Sequence, residues 1–190
     1  MSIRDVFVDF FSKIHRLGLE YAVGGSYASS AWGVPRQTND LDIVLTLDEK
    51  SVYEFISTFE KDYLLNEKEL REALKSHSRY RVFQIIHKKE VVKIDVFLAG
   101  TDAYSKSEMR RKKRIELLPK LYINCLAPEN IVLRKLDWIK MHPSDRQWND
   151  VIGILETREN ELNKNYMRRW AAKLKVSSLL KKAFSEVKRS

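Results

Sequence analysis

The apolar positions change period several times along this chain, and each change marks an element. Val6, Phe7, Phe10, Phe11 and Ile14 recur at helical spacing and predict an amphipathic helix over residues 3–17. Its polar side is not strongly basic, which favours packing on a sheet over lying on a membrane. Tyr21 to Val23 form a short apolar strand, and Ala28, Ala31 and Trp32 return to helical spacing. From Asp40 the period becomes two: Leu41, Ile43 and Leu45 point one way, Asp40 and Asp42 the other. Val52, Phe55, Ile56 and Phe59 form the stripe of a helix that Asp48 or Ser51 can cap. Residues 61–77 are charged and read as a loop with a helical piece over 67–75. Residues 79–87 and 91–98 read as two strands joined by a turn at Lys88-Lys89-Glu90, with Val92, Ile94, Val96 and Leu98 on one face of the second and Lys93, Asp95 and Phe97 on the other. Short strands follow over 115–118 and 121–126. From Pro128 onward only helices are expected: one on Ile131 to Ile139, one capped by Pro143-Ser144-Asp145, one capped by Asn163, and one carrying Leu179 to Val187.

Two stretches carry candidate chemistry. Gly24-Gly25 permit a tight turn and a close backbone approach. Ser26 is positioned as an N-cap, Gly33 suits the helix end, and Pro35 forbids its continuation. Such a turn offers backbone N–H groups and a partial positive charge to phosphate. Sixteen residues beyond Ser26, Asp42 shares a strand face with Asp40. Two adjacent carboxylates repel each other, and magnesium or manganese would relieve the repulsion with oxygen ligands. Asp95 is a third acid, in the middle of a strong strand. A charge there is costly unless it binds a cation or pairs with Lys93 or an arginine.

Gly24-Gly25-Ser26 followed by Asp40-Leu41-Asp42-Ile43 resembles the signature of the DNA polymerase beta-like nucleotidyltransferase superfamily. The resemblance implies an α+β nucleotidyltransferase fold, a mixed β-sheet flanked by helices, over residues 1–126, then a C-terminal helical bundle over 127–190. It implies metal ligation by Asp40, Asp42 and Asp95, with two Mg²⁺ or Mn²⁺ ions, and triphosphate binding by Gly24, Gly25, Ser26, Arg36 and Lys135. Leu126 to Leu136 and Asp145 to Gly153 are similar to the C-terminal part of small prokaryotic AbiEii-like transferases. In those the lysine of the first helix and acids of the second line the nucleotide cleft, which by position are Lys135, Asp145 and Asp150. The double glycine departs from toxin-type members, which more often show a single glycine before serine.

The implied reaction moves a nucleoside monophosphate from an NTP to an acceptor hydroxyl on an RNA 3′ end, a protein or a small molecule. The rival reading is a non-catalytic member that binds nucleic acid or a partner protein, within a toxin–antitoxin pair in one version. On the residues alone, Lys135 reads equally as an exposed helix lysine, Asp150 as a partner of Arg146, and Trp138, Trp148 and Trp170 as packing between helices.

Charge sharpens the partner question. Residues 1–100 hold 14 basic against 15 acidic residues, and the remainder hold 21 against 11. The basic second half, with Arg110-Arg111-Lys112-Lys113-Arg114 within it, suits an RNA backbone or simply a solvated helix end. With 44% hydrophobic residues the chain of 190 can bury a substantial core. Cys125 is the only cysteine, which excludes an intrachain disulfide and fits the cytoplasm. His15, His77, His87 and His142 have no zinc-type spacing. Arg4, Asp5 and Asp9 interrupt the first apolar run, so a secretory signal is not expected, and no stretch approaches the ~20 apolar residues of a membrane span.

Overall fold

The computed structural model describes residues 2–188. Helix α1 (Ile3–Arg16) is closed at its start by a reciprocal capping box between Ser2 and Asp5. It buries Val6, Phe7, Phe10, Phe11 and Ile14 completely or nearly so. The chain continues through β1 (Tyr21–Val23), α2 (Gly25–Trp32), β2 (Leu41–Leu45), α3 (Val52–Phe59), β3 (Tyr63–Leu65) and α4 (Glu67–Lys75). Then come β4 (Val82–His87), β5 (Lys93–Leu98), α5 (Ala103–Arg110), β6 (Lys113–Leu118) and β7 (Leu121–Cys125). Helices α6 (Pro128–Met141), α7 (Asp145–Thr157), α8 (Lys164–Leu174) and α9 (Ser177–Val187) complete it.

Seven strands form one mixed sheet in the order β3-β4-β5-β2-β1-β7-β6. The β2–β5 and β1–β7 pairs are parallel and the others antiparallel. One face carries Leu41, Ile43, Leu45, Ile94, Val96 and Leu98, all buried. The other face carries Asp42, Val44, Asp95 and Phe97, set by the two-residue period of β2 and β5 in register. A single apolar core runs from Phe10 and Phe59 through the sheet to Leu133, Val151 and Ala183, so α6–α9 share it with the strands. The tie is close: Trp32 donates its indole N–H to the Leu126 carbonyl, and a Cβ on Gly33 would sit 2.8 Å from the Ile154 nitrogen. Among the described residues no helix is long and apolar enough to cross a membrane.

Several local expectations need correction. The residue before α2 is Gly24, with no side-chain cap, and Ser26 lies inside the helix. The Gly24 N–H instead donates to the Asp42 carbonyl, pinning the helix start to β2. Residues 61–66 contain β3, which is too short and too polar in context to read from its period. The run Arg110 to Arg114 is not one helix end, because α5 ends at Arg110 and β6 starts at Lys113. Arg111 pairs with Glu129 and stacks over Tyr166, and Lys112 pairs with Glu20. Two of the five cations are thus committed inside the molecule.

Candidate active site

Asp42 and Asp95 are direct neighbours on parallel strands, so both carboxylates leave the same sheet face. Gln84 of β4 extends the row beyond Asp95. Val44, Phe97 and Val82 form the next row along, an apolar floor. Helix α2 begins beside Asp42. Gly25 has φ +53°, and a Cβ there would lie 1.8 Å from Asp42 Oδ2, so the position admits only glycine without rearrangement. The Ser26 backbone N–H lies close enough to the Asp42 carboxylate to favour its charged form.

The acids are short of positive charge. Burial, and then the neighbouring Asp95 charge, push the Asp42 carboxyl up from 3.8 to about 6, against the pull of Lys135 and the Ser26 N–H. Asp95 Oδ1 is buried and finds no hydrogen-bond partner among the described residues. Asp95 Oδ2 receives Lys93 Nζ at 3.1 Å, and the same ammonium lies 3.5 Å from Asp40 Oδ2. Asp40 itself precedes β2 and is largely exposed. As they stand, no three acidic, histidine or cysteine side chains among the described residues form a ready-made metal cage. The donor set nevertheless suits a hard divalent cation: it is all oxygen, one buried oxygen is orphaned among the described residues, and burial and the Asp95 charge disfavour the ionised form of the adjoining carboxyl.

Opposite the acids, Asp150 of α7 organises the cations. Arg36 grips it in a fork, Nε to Oδ1 at 2.8 Å and Nη2 to Oδ2 at 3.0 Å, and also donates to Ser26 Oγ. Lys135 Nζ donates to Asp150 Oδ2 at 2.8 Å and to Gln147 Oε1. Burial would raise the Asp150 carboxyl, but the bonds from Arg36 and Lys135 outweigh it and hold it below the usual carboxylate range. Burial lowers the Lys135 ammonium from its usual value despite that partner. Lys135 is therefore a buried side chain rather than an exposed helix lysine, and Asp150 pairs across elements rather than with Arg146. Asp145 is exposed and lines neither cavity described next.

Two cavities meet at Asp42 and Asp95. One of about 420 Å³ is bounded by Gly24, Gly25, Lys135 and an apolar wall of Tyr80, Ile131 and Trp138. The other, about 540 Å³, is polar, with Arg36 and the segment from Gln37 to Asp40 along it. The structure thus brings Gly24, Gly25, Ser26, Arg36, Asp40, Asp42, Asp95 and Lys135 to one place. Tyr80, Gln84 and Gln147 also line it and were not read from the sequence, and Trp138 and Arg146, read there as helix packing and as a partner of Asp150, line it too. Tyr80 packs edge-on to Trp138 with ring centres 5.4 Å apart and donates to Asp137. The α6 spacing of Lys135 and Trp138, three apart and hence on one face, is the signal that could have placed Trp138 there.

This arrangement can be set beside solved structures. The chain overlays the antibiotic-resistance factor ANT(2'')-Ia at a TM-score of 0.59 and 11% identity, over 97% of this chain and 94% of that one. The chain has a nucleotidyltransferase fold. The lincosamide antibiotic adenylyltransferase LnuA, in its lincomycin-bound form, overlays at 0.52 and 12% identity over 81% of this chain and 96% of that chain. An antigenic nucleotidyltransferase-like protein from Paracoccidioides brasiliensis overlays at 0.50 and 15% identity, over 90% and 91%. No protein-family model and no curated protein sequence matches the chain. Within the nucleotidyltransferase fold, the turn into α2 and the acids of β2 and β5 occupy one cleft, which α6 and α7 close from the other side.

Proposed function

We propose that this chain is a metal-dependent nucleotidyltransferase that moves a nucleoside monophosphate from an NTP to an acceptor hydroxyl. The observation that carries the proposal is the Asp42–Asp95 pair: two neighbouring carboxylates, one pushed up to about 6 and the other with an orphaned buried oxygen, beneath a helix N-terminus. Asp40, Asp42 and Asp95 would hold Mg²⁺ or Mn²⁺, which when bound neutralises charge on the reacting phosphate. Gly24 and Gly25 let the backbone approach the phosphates, with Ser26 beside them. Arg36 and Lys135 face the leaving pyrophosphate. Asp150 orients both cations beside the acids. Asp95 accepts the proton of the attacking hydroxyl or orients it.

The Lys135–Asp150 contact in the cleft supports placing the chain near the AbiEii-like transferases. Residues 1–126 would carry the metal acids and 127–190 the helical half that closes over the nucleotide. The test is incubation with each labelled NTP, with Mg²⁺ or Mn²⁺, against total RNA, a protein extract and a panel of hydroxylated small molecules. Label transfer that depends on Asp42 supports the proposal. Absence of transfer to every acceptor, together with no thermal shift by any NTP and metal, would refute it and leave the non-catalytic reading.

A further inference from the structure

Lys93 lies two residues before Asp95 in β5, so the pleat puts both side chains on the cleft face. Its ammonium sits between two of the three metal acids, 3.1 Å from Asp95 Oδ2 and 3.5 Å from Asp40 Oδ2. A divalent ion held by Asp40 and the outer oxygen of Asp95 would compete with this ammonium for both oxygens. The oxygen Lys93 leaves unserved is an inner one: Asp95 Oδ1 has no partner among the described residues, on the strand position directly beside Asp42. The charge deficit of the acid cluster is therefore divided. The outer half is already met by a side chain of this protein, and only the inner half requires an ion.

From this division we infer that Lys93 is a built-in substitute for the second metal, and that the site takes one divalent ion where the superfamily resemblance implies two. Three carboxylates, one lysine and one divalent ion sum to zero charge, whereas a second ion would leave the cluster with two excess positive charges before any phosphate enters. Lysine is suited to the role: it is a compact point charge on a flexible stem, able to shift between Asp40, Asp95 and an incoming phosphate oxygen. Lys93 is thus an electrostatic positioning residue. It fixes the orientation of Asp95 and leaves one oxygen of that side chain free for the ion.

The inference rests on the metal-dependent reading above, and its test separates the two. The protein is mixed with an equimolar α,β-methylene nucleoside triphosphate, each of the four bases in turn, and titrated with up to two equivalents of Mn²⁺ under electron paramagnetic resonance. Wild type should bind one equivalent with the spectrum of an isolated ion, and the second should stay free. Lys93→Met should take up the second and give the broadened spectrum of a coupled pair. Lys93→Arg keeps the charge and should behave as wild type. A coupled pair in wild type overturns the inference alone, and needs no variant to fold. A second equivalent that stays free in both wild type and folded Lys93→Met overturns it as well. A wild type that binds no Mn²⁺ with any nucleotide removes the metal-dependent reading and this inference with it.

Discussion

Replacing Asp42 by asparagine tests the charge imbalance directly. The carboxyl is pushed up from 3.8 to about 6 in the fold, by burial first and by Asp95 second. A rise of that size corresponds to about 3 kcal/mol of preference for the neutral form. The sign follows from proton counts. Between pH 4 and 6 the folded chain holds a proton on Asp42 that the unfolded chain has released, so stability falls as pH rises through that window. Above pH 6 the full cost is present, and below pH 4 it vanishes. Asparagine keeps the shape and carries no charge, so in chelator the variant should be more stable than wild type at pH 7.5. The gain is about 1–3 kcal/mol, the lower end allowing for a weaker bond from the Ser26 N–H. For a chain of this size that is a rise of about 2–4 °C in Tm per kcal/mol. The gain should shrink towards zero at pH 4. Mg²⁺ with an NTP should reverse the order: at 100-fold over Kd the ligand stabilises wild type by about 2.7 kcal/mol, and the variant should show little of it. The assay is urea unfolding followed by tryptophan fluorescence at pH 4, 5, 6 and 7.5, with chelator and with ligand. An asparagine variant less stable than wild type at pH 7.5, by an amount constant across pH, would refute the argument that Asp42 is an uncompensated buried charge.

Three further outcomes follow from the geometry. Gly25→Ala places a Cβ 1.8 Å from Asp42 Oδ2 at a φ of +53°, so it should shift α2 off the acids and remove at least tenfold of NTP affinity, read by thermal shift or calorimetry. Asp150→Ala leaves Lys135 buried without its carboxylate and should cost about 3–5 kcal/mol in urea unfolding, with partial recovery on adding a triphosphate. Arg111→Ser should destabilise by about 1–3 kcal/mol through the loss of Glu129 and Tyr166, while Arg110→Ser on the exposed end of α5 should stay within about 0.5 kcal/mol, as thermal melts of both will read.

Local signals in the sequence determined much of this protein. Periodicity placed α1, α3, α4 and α6–α9 close to their observed limits, because each has an apolar stripe and most have a recognisable cap or breaker at one end. Alternation in β2 and β5 separated the acids from the core-facing residues, since strand geometry alone assigns the faces. The nucleotidyltransferase fold followed from Gly24-Gly25-Ser26 and Asp40-Leu41-Asp42 in order, two short patterns with a fixed helix between them.

Tertiary structure decided what those residues touch. The β4–β5 hairpin shows why. The turn read as Lys88 to Glu90 in fact includes Val91 at φ +53°, and that fourth residue sets the register that puts Gln84, not Phe83, beside Asp95. A one-residue slip in a strand exchanges its faces, so the cleft wall was beyond reach of any reading that left the turn length open. The partners of Asp150 lie 114 and 15 residues away along the chain, and those of Arg111 and Lys112 are Glu129 and Glu20. Side chains that look like a solvated run or a free helix face in sequence are consumed by such distant pairings. Burial then assigns their chemistry: it makes Lys135 a buried cleft cation and leaves one oxygen of Asp95 without a partner among the described residues.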